Sequence, residues 1–337
     1  MRKLVCFDLE GPLSPQDNAY ETMGLLPNGH KIFEVISRYD DILTLEGREE
    51  YEPGDTLALI VPFLVYHGIT ERDVKRTSSK AYLVRGSDEV IGGLLHKGWK
   101  LYIISTSYEQ HALSIAARLG IAPELVYCTR FPLDMLEQRV KKEELELLTE
   151  VEKYILENLY ADNLGSGVRD RGIKRYLDWF YWDRISKTSI GIPNKSIEVL
   201  GGRRKVWALE KIARHHRVRL RDIAFVGDSI TDAQAVRVIE AAGGLSIAFN
   251  GNAFVVPYAT VGVASLSLND VGPILRAWGT GGRTEVRKTV AELEQPESEI
   301  GPYYHWLVGK TRRSLRRILD LHRRTRGIVR AEAAKLA

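Results

Sequence analysis

The sequence is poor in cysteine, with only Cys6 and Cys128 among 337 residues. Two cysteines cannot form a disulfide framework or a thiolate metal cluster, so we expect both to be buried thiols in a reducing cytoplasm. The sequence also lacks any apolar run of about 18 residues, the length that a membrane-spanning helix needs. Its start is an apolar strand pattern rather than a secretion signal. These absences predict a cytoplasmic protein.

Length and composition predict more than one structural unit. Hydrophobic residues make up 44% of the chain and charged residues 27%, a balance that can bury a core. A chain of 337 residues exceeds the usual size of a single domain, so we expect a core domain with at least one accessory module. The net charge of +4 is modest, and no internal repeat or low-complexity tract occurs.

Two short apolar runs, LVCF and IAFV, are each followed by a pair of acidic residues. Asp8 and Glu10 follow the first run, and Asp228 and Asp232 follow the second. Such runs are typical of strands buried in a parallel sheet, and open α/β sheets bind ligands at the carboxyl ends of their strands. Mg²⁺ binds few protein carboxylates and keeps positions for water and phosphate oxygens. The two acidic loops therefore indicate a site where a metal is held beside a phosphoryl group.

Hydroxyl and lysine side chains lie between the two acidic loops in the sequence. The apolar run LYII is followed by Ser105, Thr106 and Ser107, whose hydroxyls can donate hydrogen bonds to phosphate oxygens. Lys205 begins a helical stretch upstream of Asp228. Each residue also has an ordinary structural interpretation, because serine is a common helix N-cap and a single helical lysine is usually solvated. Their joint occurrence in this order is what indicates a functional site.

The order of acid, hydroxyl, lysine and acid pair resembles the four motifs of the haloacid dehalogenase-like (HAD) phosphohydrolase superfamily. Within it, the stretch 205–250, with GDSITD and LSIAFNGN, is most similar to phosphoserine phosphatases and related archaeal proteins. The opening DLEGPLSPQDNA resembles a narrower group, which includes a HAD-like protein known as energy-converting hydrogenase A subunit R. These motifs cover about half of the chain.

This resemblance implies an α/β fold with a Rossmann-like parallel sheet, and a Mg²⁺-dependent phosphatase activity on a small phosphorylated metabolite. Asp8 would be the nucleophile, because an aspartyl-phosphate intermediate divides hydrolysis into two easier steps. Glu10 would protonate the leaving group and then activate water. Ser105 and Lys205 would bind the phosphoryl oxygens.

The resemblance also implies the metal ligands. The side chains of Asp8 and Asp228 and the backbone carbonyl of Glu10 would hold Mg²⁺, with Asp232 supporting them through water or Lys205. Glu10 departs from the family pattern, which usually has aspartate at this position. The extra methylene moves the carboxyl by more than about 1 Å, and catalytic geometry tolerates little displacement. The rival hypothesis is a HAD-fold binding protein or complex subunit with weak or no turnover.

The motifs divide the chain into a core and three further segments. We expect the core over 1–13, 99–130 and 200–276, a helical cap over 14–98, a helical insertion over 131–199 and a basic helical extension over 277–337. In HAD proteins a cap inserted at this place closes over the active site, and closure excludes water.

Asp17 lies at the entrance of the predicted cap, where phosphoserine phosphatases carry an acidic residue for the substrate's amino group. A role as N-cap or turn residue is an equally good interpretation. The candidate substrate-binding residues are therefore Asp17, Ser105, Thr106 and Lys205. The cap stretch Thr56–Val61 lacks the arginine that binds a substrate carboxylate in those enzymes, so phosphoserine is a poor candidate substrate.

The predicted insertion is rich in leucine and aromatic residues, and its spacing places several of them on one helical face: Ile173, Tyr176, Leu177 and Phe180. A helical hairpin packed on the core or on the cap is one interpretation. A second lid or a partner-binding surface is the other.

The predicted C-terminal extension is strongly basic, with nine lysine and arginine residues and a single acid, Asp320, between positions 310 and 330. Its pattern predicts an amphipathic helix after Pro302, with an apolar stripe of Leu315, Ile318, Leu319 and His322. The stripe could pack on the body of the protein or form an oligomer contact. Alternatively, the basic face could bind nucleic acid or an anionic lipid surface.

Overall fold

A central β-sheet organises the chain in the computed structural model, which describes residues 3–161, 167–189, 191, 197–294 and 301–336. The sheet has seven strands in the order β3-β2-β1-β4-β5-β6-β7, with β1 to β6 parallel and β7 antiparallel to β6. The strands are β1 (Leu4–Phe7), β2 (Lys100–Tyr108), β3 (Val126–Thr129), β4 (Ile223–Gly227), β5 (Leu245–Phe249), β6 (Val261–Ala264) and β7 (Tyr303–Trp306).

Strand β1 lies at the centre of the sheet, and its register decides where the acidic loops begin. Phe7 is aligned with Ile103 of β2 on one side and with Val226 of β4 on the other. All residues of β1 are buried, as expected for a strand covered on both faces. The loops that follow β1, β2 and β4 therefore leave the sheet at the same edge. The predicted α/β fold with a Rossmann-like parallel sheet is confirmed.

Helices cover both faces of the sheet. Because side chains alternate along a strand, Val5 and Phe7 pack into one apolar cluster, whereas Leu4 and Cys6 pack into another. The first cluster includes side chains of the helices Ser87–His96, Glu109–Arg118 and Gly272–Leu293. The second includes side chains of the helices Arg203–His216, Ala233–Ala241 and Arg312–Leu336.

The predicted cap and the predicted insertion share a third apolar cluster. Its helices are Asn18–Met23, Gly29–Glu46, Thr56–Leu59, Val61–Tyr66, Glu71–Ser79, Leu133–Glu137, Glu146–Tyr154 and Gly167–Asp178, with π-helical turns at Ile155–Leu159 and Trp179–Arg184. The Tyr181 hydroxyl donates a 2.8 Å hydrogen bond to the carbonyl of Leu59. Trp182 Nε1 donates to the hydroxyl of Tyr39 at 2.7 Å.

Tyr181 and Trp182 of the insertion therefore pack on the cap, which agrees with the first of the two interpretations of this segment. Ile173, Leu177 and Phe180 are fully buried, as their shared helical face predicts, and Tyr176 packs at the edge of the same cluster. Residues 162–166, 190 and 192–196 of the predicted insertion lie outside the described residues.

Two segments differ from the predicted division of the chain. The helix Ser87–His96 falls within the range predicted for the cap, but its Ile91 and Leu94 pack in the same cluster as Ile103 of β2. It is the crossover helix that leads into β2, and a crossover helix must cover the sheet. The extension predicted to be helical contributes β7, which pairs with β6 and covers an edge that would otherwise expose unpaired backbone groups.

The predicted amphipathic helix of the extension runs over Arg312–Leu336 and packs on the body of the protein. Ile318, Leu321 and His322 are buried, and His322 Nδ1 accepts a 2.9 Å hydrogen bond from the backbone N–H of Gly251. We refer to this element as the C-terminal helix. Among the helices that the structure describes, none combines the length and the apolar character needed to cross a membrane.

Candidate active site

Asp8 lies directly after the central strand, at the edge where the acidic loops meet. Its backbone N–H donates a 2.8 Å hydrogen bond to the carbonyl of Val226, which extends the pairing with β4 by one residue. Its Oδ1 accepts a hydrogen bond from the N–H of Leu9 at 2.8 Å. These contacts hold a buried carboxylate at the end of the strand.

The loop after β4 is organised by Asp232. Its Oδ2 accepts hydrogen bonds from the N–H groups of Asp228, at 2.9 Å, and Ser229, at 3.2 Å. The loop after β1 comes so close to Asp228 that a Cβ at Gly11 would lie 2.4 Å from the Asp228 carboxyl carbon. Gly11 also has a φ of +102°, so the close approach of the two loops requires glycine at this position.

Lys205 joins the two acidic loops. Its Nζ lies 2.9 Å from Asp8 Oδ1 and 2.7 Å from Asp232 Oδ1, and the whole side chain is buried. Burial opposes the charged ammonium, but Asp232 and Asp8 outweigh burial and raise the pKa of Lys205. For Asp8, burial and the neighbouring Asp232 raise the pKa well above its usual range, and Lys205 opposes the rise. The site therefore has more negative charge than Lys205 alone offsets.

The carboxylates form an arrangement suited to a cation. Asp8, Asp228 and Asp232 each place one oxygen so that the three atoms lie within 4.8 Å of one another. Asp228 Oδ1 is buried and has no hydrogen-bond partner among the described residues. Both oxygens of Asp232, in contrast, accept hydrogen bonds from the chain. Hard oxygen donors and an orphaned carboxylate oxygen fit a divalent cation held mainly by Asp8 and Asp228.

Glu10 lies at the end of a short chain of hydroxyls. Ser105 Oγ donates to Ser107 Oγ at 2.9 Å, and Ser107 Oγ donates to Glu10 Oε1 at 2.6 Å. The N–H of Asn18 donates to the same carboxylate oxygen at 3.0 Å. Burial, followed by the nearby Asp17, raises the pKa of Glu10 to about 8, and the two hydrogen bonds oppose the rise.

Thr106 and Asp17, both predicted to bind substrate, form hydrogen bonds with backbone groups of the chain. The Thr106 hydroxyl donates to the carbonyl of Leu200 at 3.3 Å, because alternation along β2 directs Thr106 away from the side shared by Ser105 and Ser107. Asp17 is the N-cap of the helix Asn18–Met23, and its Oδ1 accepts from the N–H of Tyr20 at 3.1 Å. Burial raises the pKa of Asp17, whereas the hydrogen bond from Tyr20 opposes the rise.

The structure also brings Ser107 and Arg326 to the site. Ser107 was predicted only as the third hydroxyl after the run LYII, and it contacts Glu10 because the period of two along a strand places it on the same side as Ser105. Arg326 of the C-terminal helix places Nη2 2.9 Å from Asp228 Oδ2, and Nη1 donates to the Asp228 carbonyl at 3.3 Å. The helical period offered a signal for Arg326, because it lies one turn after His322 of the predicted apolar stripe.

Known structures share this architecture. The chain is similar to gene product AF1437 from Archaeoglobus fulgidus, with a TM-score of 0.81 and 24% identity over 97% of this chain and 96% of that one. It is also similar to a phosphoserine phosphatase solved as a phospho-aspartyl intermediate analogue, with a TM-score of 0.51 and 17% identity over 80% of this chain and 96% of that one. A substrate-bound phosphoserine phosphatase complex aligns with a TM-score of 0.51 at 16% identity.

These similarities show that the chain shares the fold of the phosphoserine phosphatases. At identities of 24% and below, the similarity defines the fold alone. No protein-family model matches the chain, and no curated protein matches it either.

Proposed function

We propose that the protein is a Mg²⁺-dependent phosphatase that hydrolyses a small phosphorylated metabolite through an aspartyl-phosphate. The observation that carries this proposal is the buried Lys205, which bridges Asp8 and Asp232 beside Asp228 Oδ1, an oxygen with no partner in the described part of the chain. In-line attack on a phosphoryl group requires a buried carboxylate beside a fixed positive charge, here Lys205, and a carboxylate oxygen that can bind a metal, here Asp228 Oδ1. The phosphoserine phosphatases with the same fold make this the leading reaction class.

In the first step, a carboxylate oxygen of Asp8 bonds to phosphorus while the bond from phosphorus to the leaving oxygen breaks. Lys205 stabilises the negative charge that arrives with the phosphoryl group, and Ser105 turns its hydroxyl from Ser107 to a phosphoryl oxygen. Mg²⁺, held by Asp8 and Asp228 with the backbone carbonyl of Glu10, would supply further charge stabilisation and align the phosphate. Asp232 positions Lys205 and the Asp228 loop.

Glu10 provides the proton. In the first step its carboxyl protonates the leaving oxygen, and in the second step its carboxylate takes a proton from the water that attacks phosphorus and frees Asp8. The hydrogen bonds from Ser107 and Asn18 hold this longer side chain in a defined position, which offsets the loss of precision expected from the additional methylene.

The alternative is a HAD-fold binding protein or complex subunit with weak or no turnover. The glutamate at position 10 and the guanidinium of Arg326 on Asp228 both favour it, because neither belongs to the motifs that the sequence resembles. In that case the exposed arginines of the C-terminal helix would contribute to binding an anionic partner such as nucleic acid. These arginines are Arg312, Arg313, Arg316, Arg317, Arg323 and Arg324.

A phosphatase screen separates the two functions. Release of inorganic phosphate is measured with Mg²⁺ across a panel of phosphorylated metabolites, for the parent chain and for Asp8→Asn. The proposal expects hydrolysis of at least one metabolite by the parent, loss of activity with a chelator, recovery on adding Mg²⁺, and no turnover by the variant. No hydrolysis by a parent chain that binds Mg²⁺ would favour the binding protein.

A further inference from the structure

Arg326 of the C-terminal helix contacts the candidate metal site directly. The guanidinium of Arg326 binds Asp228 at two points, the carboxylate Oδ2 at 2.9 Å and the backbone carbonyl at 3.3 Å. Arg326 is 98 residues further along the chain than Asp228. Its side chain is only 20% exposed, whereas that of Arg323 on the same helix is 80% exposed.

The position of Arg326 is fixed by the helix that carries it. His322 lies one turn earlier on the same helical face, and its buried ring accepts the hydrogen bond from Gly251. Asn252, which follows Gly251 in the sequence, donates its N–H to the Asp228 carbonyl at 2.8 Å. The buried Thr325 adds to the packing of the same turn. The loop after β5 therefore contacts both the C-terminal helix and Asp228.

The two carboxylate oxygens of Asp228 have different surroundings. Arg326 binds Oδ2, whereas Oδ1 is buried and has no partner among the described residues. Leaving a buried carboxylate oxygen unpaired is costly, so a ligand is expected on Oδ1. A planar guanidinium that binds one oxygen and the backbone of the same residue restricts rotation of the carboxylate.

We propose that Arg326 is a positioning residue that holds Asp228 with Oδ1 directed to the cation, which makes the C-terminal helix part of the metal site. This inference rests on the proposed function, because it concerns the cation of that site. Outer contacts of this type typically change metal affinity by about 10-fold to 100-fold.

The positive charge of Arg326 has an effect on cation binding that is opposite to the positioning effect, and this difference can be tested. A guanidinium next to a carboxylate also reduces the negative charge that attracts a cation. If charge alone mattered, removing Arg326 would tighten Mg²⁺ binding. If Arg326 positions Asp228, removing it weakens Mg²⁺ binding despite the gain in net negative charge. The two effects therefore predict changes of opposite sign.

The experiment measures the Kd of Mg²⁺ by calorimetry on the full chain, with Mn²⁺ binding by electron paramagnetic resonance as a second readout. The variants are Arg326→Ala, Arg326→Lys and the matched control Arg323→Ala. Arg326→Ala is expected to raise the Kd by about 10-fold or more. Arg323→Ala should leave it unchanged, and Arg326→Lys should give an intermediate value, because lysine keeps the charge but loses the two-point contact.

Two further measurements test whether Arg326 acts through Asp228. Ethylguanidinium in solution should restore Mg²⁺ binding to Arg326→Ala and have no effect on the parent chain. In the double variant with Asp228→Asn, Arg326→Ala should produce no additional loss. If Arg326→Ala does not fold, the comparison of Arg326→Lys with the parent decides.

The outcomes separate this inference from the proposed function. A parent chain that binds no Mg²⁺ overturns both. A parent chain that binds Mg²⁺, with unchanged or tighter binding in the Arg326 variants, overturns the positioning role alone and leaves the phosphatase proposal intact.

Discussion

Ser107 donates a 2.6 Å hydrogen bond to Glu10 Oε1, although the two residues are 97 positions apart in the sequence. The contact joins the loop after β1 to the last residues of β2. It defines the position of the side chain that replaces the aspartate usual in proteins with these motifs. The role of Glu10 in turnover is therefore the first property to test.

Replacing the carboxyl group of Glu10 with an amide should slow turnover. We expect Glu10→Gln to reduce the hydrolysis of a metabolite with a poor leaving group by roughly 100-fold or more, because the leaving oxygen then receives no positioned proton. Glu10→Asp should preserve or raise activity. Hydrolysis of an activated aryl phosphate should respond less, because its leaving group needs little protonation. Parent-like rates for both variants with the metabolite would show that Glu10 is not the acid.

The two neighbouring residues at the end of β2 should respond differently to loss of their hydroxyls. Ser107→Ala removes the hydrogen bond to Glu10, and we expect turnover to fall by about 10-fold. Thr106→Val removes only the contact with the Leu200 carbonyl and should leave kcat/KM unchanged. Steady-state kinetics on both variants check this expectation, and a larger loss for Thr106→Val would reinstate Thr106 as a substrate-binding residue.

A phosphoryl analogue should bind at Asp8. Beryllium fluoride with Mg²⁺ mimics a phosphorylated carboxylate, and a ligand that binds only the native state stabilises it by mass action. We expect the melting temperature of the parent chain to rise with the two together and not with fluoride alone. Asp8→Asn is the control and should show no rise. An unchanged melting temperature in a sample that binds Mg²⁺ would favour the binding-protein alternative.

Lys205 should contribute strongly to stability. Lys205→Met leaves Asp8 and Asp232 buried without their shared cation, which typically costs about 3 to 5 kcal/mol of unfolding free energy. Arg214→Met on the same helix removes only an exposed contact with Glu210 and should cost about 0.5 kcal/mol or less. Urea unfolding at neutral pH measures both variants. Equal losses would mean that the buried bridge does not stabilise the fold.

His111 should make the protein less stable in mild acid. It is buried with neither ring nitrogen hydrogen-bonded to a described residue, and burial lowers its pKa to about 4. Below its unfolded pKa of about 6.5 the unfolded state gains a proton that the native state does not, so stability is lost as pH falls from about 6.5 toward 4. At higher pH, His111 is neutral in both the folded and the unfolded state, and this loss of stability is absent.

The matched variant for this prediction is His111→Leu. It should raise the unfolding free energy by about 1 kcal/mol at pH 7.5, because an unsatisfied polar group is removed. The gain should be larger at pH 5.5, where the parent also carries the proton penalty. His96→Gln, at an exposed position, is the control and should leave the pH dependence unchanged. The same pH dependence in His111→Leu and the parent would contradict the prediction.

Local sequence patterns are enough to predict the strand ends of this site. Asp8 directly follows the run LVCF, and Asp228 follows the run IAFV after one glycine; such runs form buried parallel strands whose carboxyl ends share one edge. The position of the two carboxylates is thus a local property of the chain. The amphipathic C-terminal helix is also local, because its apolar stripe follows the helical period.

The side chains that meet across long sequence separations could not be predicted from local patterns. The Arg326–Asp228 and Ser107–Glu10 contacts each join residues almost a hundred positions apart, and their formation depends on how whole elements pack. The strand β7 was missed for a similar reason. A four-residue segment has little pattern of its own, and it becomes a strand because β6 offers an unpaired edge. Periodicity predicts which face of an element is buried, but it does not say which partner covers that face.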